Sequence, residues 1–149
     1  MLLSSTNKNE KIVLGLLSLA CKDEDTMTEA SEILDYYRDN KDMELFLYKD
    51  PDTDNYVGLI GIEHRRYVTD DNKSSETNEI ETILVNRMSV IPSFLDEGIE
   101  YEMYKELRIL FPNVQIVGAI QNQTQDLIAE LAAEFRTEED SENESVVHT

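Results

Sequence analysis

Apolar residues recur along this chain at two spacings, and each change of spacing marks an element. Ile12, Leu16 and Leu19, with Val13, Leu17 and Ala20, predict a first helix over residues 8–20 that buries one broad face. Met27, Ala30, Leu34 and Tyr37 follow at steps of three, four and three, predicting a second. It begins at Thr26, with Glu29 placed to complete a capping box. Two short apolar runs bounded by charge, residues 43–48 and 56–63, then read as strands. Between them lies Asp50-Pro51-Asp52-Thr53-Asp54-Asn55, where proline fixes a backbone angle and Asp and Asn tolerate tight bends, so the pair is a hairpin. Gly58 and Gly61 predict a bulge or the close approach of a helix.

Residues 68–78 are polar without a period and read as a loop. A long strand follows over 79–90, where Asn86 and Arg87 break the apolar character and mark a bulge. After Pro92 the period turns helical, through Ile99, Met103, Leu107 and Leu110, until Pro112 and Asn113 stop it. Residues 114–120 read as a buried strand, and 124–135 as a last helix carrying Leu127, Ile128, Leu131 and Phe135. Strand-helix-strand order near the end requires some parallel pairing. The expected class is therefore α/β, with an α+β mixed sheet, in one domain over residues 1–135. Residues 136–149, with Glu138, Glu139, Asp140, Glu142 and Glu144, read as an acidic disordered tail.

Charge narrows the partners. Thirteen Lys and Arg stand against 32 Asp and Glu among 149 residues, a formal charge of -19. Such a surface repels phosphate backbones and anionic membranes, so no nucleic acid and no membrane is expected; its plain reading is solubility, and its functional one is attraction of cationic substrates such as amines. A single cysteine, Cys21, excludes an internal disulfide framework and fits the reducing cytoplasm. No apolar run approaches the roughly 18 residues of a membrane span. Lys8 and Lys11 ahead of the first apolar stretch, with Cys21 after it, imitate a lipoprotein signal, but Glu10 and Ser18 depart from that pattern and the helix is expected. Asp50, Asp52 and Asp54 alternate as in a calcium loop, yet Asn55 replaces the glycine of the sharp bend and Gly61 the bidentate glutamate. His64 and His148 lack ligand-spaced neighbours, so no metal site is expected.

The candidate chemistry lies at the strand-to-helix turn from Val90 to Glu100. A strand turning abruptly into a helix leaves main-chain N–H groups free to hold an anion, and Gly98 permits close approach. The element order and this turn resemble the GNAT family of acyl-CoA-dependent N-acetyltransferases. Several stretches are, more narrowly, similar to a small GNAT-type protein encoded in bacterial riboflavin operons. They are Glu10-Lys11-Ile12 through Gly15-Leu16-Leu17-Ser18, Leu45-Phe46-Leu47-Tyr48-Lys49, Val57-Gly58-Leu59-Ile60-Gly61-Ile62-Glu63 and Ser89-Val90-Ile91-Pro92-Ser93.

The resemblance implies acetyl-CoA as cofactor and a small-molecule or protein amine as acceptor. It places the pantetheine arm on the main chain of Met88, Ser89 and Val90. The pyrophosphate loop of the family, written Arg or Gln, two residues, Gly, one residue, Gly or Ala, falls on Leu95, Asp96, Glu97, Gly98, Ile99 and Glu100. Leu95 and Glu100 depart from it. Asn122 matches the family's asparagine after the fifth strand, and counting from there the tyrosine acid falls on Ala129. Glu63 and Glu81, on strands flanking the amine site, are the candidate general bases. The chain ends soon after the last helix, so the family's final strand pair is expected to be shortened or missing. The resemblance thus implies an N-acetyltransferase with a possible tie to riboflavin biosynthesis; the departures at Leu95 and Glu100 favour the alternative of a binding or regulatory module with weak CoA binding. An edge left by missing strands predicts a homodimer.

Overall fold

The computed structural model describes residues 1–19, 26–70, 77–119 and 124–147. Strand β1 is Leu2–Ser4, followed by helices α1 (Glu10–Ser18) and α2 (Thr26–Asp39). Strands β2 (Met43–Lys49), β3 (Tyr56–Asp70) and β4 (Thr77–Val90) come next, then α3 (Ile99–Leu110), β5 (Gln115–Gly118) and α4 (Thr124–Val147). The result is a mixed α/β fold: one five-stranded sheet in chain order, antiparallel except where β4 and β5 run parallel.

The strand pattern distributes two cores. On one face Val13, Leu16 and Leu17 of α1 and Ala30, Leu34 and Tyr37 of α2 cover Met43, Leu45, Leu47 and Leu59. On the other, Ile99, Met103, Tyr104 and Leu107 of α3 and Ile128 and Leu131 of α4 cover Phe46, Ile60, Ile62, Ile83 and Val85. Strand β2 is therefore buried on both sides, and it reads as a continuous apolar run for that reason. The two glycines of β3 are close-approach positions. A Cβ at Gly58 would sit 2.9 Å from the Met103 sulfur, and one at Gly61 would sit 2.4 Å from the Tyr37 hydroxyl. The hairpin tip is held as its composition dictates: Asp50 accepts from the Thr53 N–H at 3.1 Å and from its hydroxyl at 2.7 Å.

Several expectations are corrected. Strand β1 pairs with β2 and its Leu2 N–H donates to Glu106 Oε1, a long-range stabilisation that three residues cannot announce by periodicity. In α1, Ile12 and Leu19 are exposed, so the buried stripe is narrower than the apolar pattern suggests. The polar stretch around 68–78 belongs in part to strands, because β3 and β4 continue as a two-stranded arm to Asp70 and from Thr77. Helix α4 does not stop at Phe135 where a disordered tail is expected; it runs to Val147. Glutamate is a good helix former, and α3 anchors the extension. Tyr101 donates its hydroxyl to Glu138, and Lys105 reaches the same carboxylate at 3.6 Å. Cys21, Asn122 and His148 lie outside the described residues. Among those residues, no strand follows α4 and no helix is long and apolar enough to cross a membrane.

Candidate functional site

The site grows from an irregularity in β4. Gly61 pairs with Arg87 and Ile62 with Val85, so Asn86 is the extra residue of a bulge. Strand β5 pairs with β4 over Thr82–Val85 only and ends at Gly118. From Asn86 onward, β4 has β3 on one side and an open edge on the other.

Thr124 holds the point where the strands part. Its buried hydroxyl lies 2.8 Å from the Val85 carbonyl, 3.0 Å from the Ala119 carbonyl and 2.8 Å from the Ala119 N–H. The hydroxyl accepts from the amide and has one hydrogen to share between the two carbonyls, while Ala119 N–H also donates to Val85 O at 3.0 Å. Gly118 lets α4 begin this close, since a Cβ there would meet the Thr124 carbonyl oxygen at 2.1 Å.

The strand register fixes where the amides point. Ile91 N–H donates to the Val57 carbonyl at 2.9 Å. In an antiparallel ladder the bonded pairs then alternate, at Ser89 with Leu59 and at Arg87 with Gly61. The main-chain groups of Met88 and Val90 consequently face away from β3, toward the open edge. Ser89, grouped with them by resemblance, instead turns its main chain to β3.

Beyond the strand, Pro92–Phe94 form a short 3-10 turn and Gly98 caps α3 with φ of 74°, the left-handed conformation for which glycine is suited. The amides of Phe94, Leu95 and Glu97 are bonded within the turn, and the first helical bond of α3 runs from Glu102 N–H to Gly98 O. The N–H groups of Ile99, Glu100 and Tyr101 thus precede the first carbonyl partner that helix geometry offers. Leu95, Asp96 and Glu97 are exposed, Ile99 is buried, and Glu100 is half-buried, where desolvation raises its carboxyl above the ordinary range.

On the α2 face of the sheet, beside the parting strands, opens a cleft of about 810 Å³. Helix α2 supplies Glu29, Glu32, Tyr36 and Tyr37; β3 supplies Glu63, Arg65 and Tyr67; β4 supplies Asn86 and Arg87 at the bulge. Glu63 and Arg65 pair at 3.0 Å. The Tyr37 hydroxyl is buried over Gly61, where Asn86 and Arg87 approach it without closing a well-formed hydrogen bond. Burial pushes its phenol up to about 12, against the opposing pull of the Arg87 guanidinium, so it stays protonated at neutral pH.

The structure separates the two candidate bases. Glu63 lines the cleft. Glu81 lies three residues before Leu84, the partner of Glu63, and therefore on the opposite face of the sheet; it is exposed, 3.8 Å from Arg66. Sequence reasoning passed over Arg87 as a bulge marker and Tyr37 as core packing. A cation within an otherwise apolar strand was the available signal for the first. For the second there was none, because a tyrosine at helical spacing looks the same whether or not its hydroxyl reaches a cleft.

No protein-family model matches the chain. Over 117 residues, 78% of this chain and 84% of the relative, it is 29% identical to an uncharacterized N-acetyltransferase in the lysA 3' region of Bacillus methanolicus. Among solved structures, the aminoglycoside 6'-N-acetyltransferase AAC(6')-IG of Acinetobacter haemolyticus is similar with a TM-score of 0.59 at 11% identity, covering 89% of this chain and 88% of that one. AAC(6')-Iy, in complex with a CoA-containing bisubstrate analog, has a TM-score of 0.56 at 14% identity, covering 88% of each chain. An acetyltransferase of Trypanosoma brucei has a TM-score of 0.58 at 12% identity, covering 88% of this chain and 89% of that one. The chain has the fold of the GNAT acetyltransferases.

Proposed function

We propose that the chain is an N-acetyltransferase that uses acetyl-CoA to acetylate an amine held in the cleft on the α2 face. The carrying observation is the outward main-chain edge at Met88 and Val90, set where β4 and β5 part. That edge fits an extended amide-containing arm, which gains main-chain hydrogen bonds as an added strand would. A bound acetyl thioester supplies the activated acyl carbon. Met88 and Val90 orient its amide groups, and a main-chain N–H at this edge offers the fixed dipole that favours charge developing on an acyl oxygen. The cleft brings the amine to the other side of the bulge, so positioning carries much of the effect. Glu63 is the cleft carboxylate suited to accept the proton that the amine gives up as its nitrogen bonds to carbon and the carbon–sulfur bond breaks. Ala129 offers no proton, so solvent supplies the one taken up by sulfur.

The turn from Leu95 to Glu100, with Gly98, Ile99 and the residue at Asn122, is the proposed seat of the pyrophosphate. Its side chains work against it. A carboxylate about 4 Å from a phosphate charge costs roughly 1 kcal/mol in water and about 4 at an effective dielectric of 20. A helix N-terminus contributes roughly 0.3–1 kcal/mol per charge. Because Asp96 and Glu97 are exposed, the smaller cost applies to them and nearly offsets the helix; half-buried Glu100 costs more. Binding is therefore weak.

Isothermal calorimetry with acetyl-CoA and with CoA tests this reading: saturable heat supports it, and silence at millimolar ligand rejects it. Leu95→Arg with Glu100→Gly should tighten binding by about tenfold for each roughly 1.4 kcal/mol regained. The acidic turn also favours a second reading, a GNAT-fold binding or regulatory module. In that case the outer edge of β5, which carries no strand among the described residues, is where a second copy would add. The tie to riboflavin biosynthesis rests on likeness of sequence alone and is not part of this proposal.

A further inference from the structure

The charges lining the cleft are unusual for so acidic a chain. Arg87 is placed at the bulge, directly across from Gly61, above which the Tyr37 ring packs. Among the described residues it has no carboxylate within ion-pair distance, although Asp and Glu outnumber Lys and Arg by 32 to 13. Its neighbour Arg65 is already taken by Glu63. On the opposite wall, Glu29 Oε2 is buried with no hydrogen-bond partner, and exposed Glu32 stands one turn further along α2. A carboxylate oxygen withdrawn from water without a donor is costly, and a guanidinium beside no carboxylate keeps its paired donors available to one. Each is met by a ligand group of the opposite kind.

The geometry points to an acceptor that is zwitterionic: a free amino acid or short peptide whose carboxylate is held by Arg87 and whose ammonium end is held on the Glu29 side. A planar guanidinium presents paired donors that match the two oxygens of a carboxylate, which a lysine would not reproduce. A polycation lacking any acid would place positive charge against Arg87 and offer it no carboxylate, so this cleft discriminates against polyamines and aminoglycosides. The inference deepens the proposed function and rests on the same cleft being the acceptor site.

The test compares matched pairs that differ only in the carboxylate. L-lysine with cadaverine, L-ornithine with putrescine, and glycyl-L-lysine with N-glycyl-cadaverine are titrated by ligand-observed NMR, without acetyl-CoA. The carboxylated member of at least one pair should bind about tenfold more tightly or better, the scale of one charge-assisted hydrogen-bonded contact. Arg87→Gln should abolish that preference, weakening the carboxylated member and relieving the repulsion of the diamine, and Arg87→Lys should restore only part of it. Equal binding within every pair, tighter binding of the amines, or no binding of any probe would overturn the inference. The outcome is independent of the cofactor. Carboxylate-selective binding without any acetyl-CoA heat would sink the acetyltransferase reading alone, and acetyl-CoA binding with unselective amines would sink this one alone.

Discussion

Thr124 ties three main-chain groups to one hydroxyl at the place where β4 and β5 separate. Thr124→Val keeps the shape and removes the hydroxyl's bonds, while Ala119 N–H and the Val85 carbonyl keep each other and the Ala119 carbonyl keeps the Gln125 N–H, so it should cost about 0.5–1.5 kcal/mol in denaturant unfolding. A loss within error would mean that the latch contributes nothing. Glu100 gives a prediction with a sign. Desolvation raises its carboxyl, so its protonated form is favoured by folding. That contribution is complete below the ordinary value of 4.5 and is lost as pH rises through the raised one. Glu100→Gln should therefore melt higher than the parent at pH 7, with the advantage shrinking as pH falls below 4.5. An advantage that persists in acid would contradict the assignment. At this scale the sequence was legible where a residue type is tied to a backbone need, as at the 50–55 turn, where Asp54 takes a φ of 65°. It was mute about Arg87, whose meaning depends on which carboxylates fail to reach it.

Elements were legible wherever a period persists. The burial of Val13, Leu16, Leu17, Ala30, Leu34 and Tyr37 follows the helical spacing, and the bulge sits at Asn86 where polar residues interrupt β4. Elements fixed by tertiary contact were not legible. Strand β1 is too short to show alternation, and the distal half of α4 has a composition that suits either a helix or a disordered chain. The contact from Tyr101 to Glu138 decides the latter. Tyr101→Phe should raise amide hydrogen exchange over residues 136–147 and leave residues 124–131 unchanged; equal protection in both proteins would show that the acidic run is helical by itself. Gly61→Ala tests the packing of α2 on the sheet. Its Cβ would enter the space of the Tyr37 hydroxyl, and overpacking of this kind costs about 1–3 kcal/mol.

For the whole molecule, the mixed sheet with a parallel pair at its end was foreseeable from strand-helix-strand order, and the opening between those strands was foreseeable only through resemblance. The short β5 edge and the charge of -19 act in opposite directions on self-association. Light scattering across a salt series resolves them: dimers that strengthen as charge is screened would agree with pairing through β5, and a monomer at every salt concentration would exclude it. The claim on which the functional account depends is that the main-chain edge of β4 receives an acyl-CoA. Backbone amide NMR during titration with acetyl-CoA reads that edge directly. The account predicts saturable shifts at Met88, Val90 and Gly98 with little change at Ser89, whose amide is committed to β3. Unmoved amides at Met88 and Val90 at millimolar acetyl-CoA would contradict it.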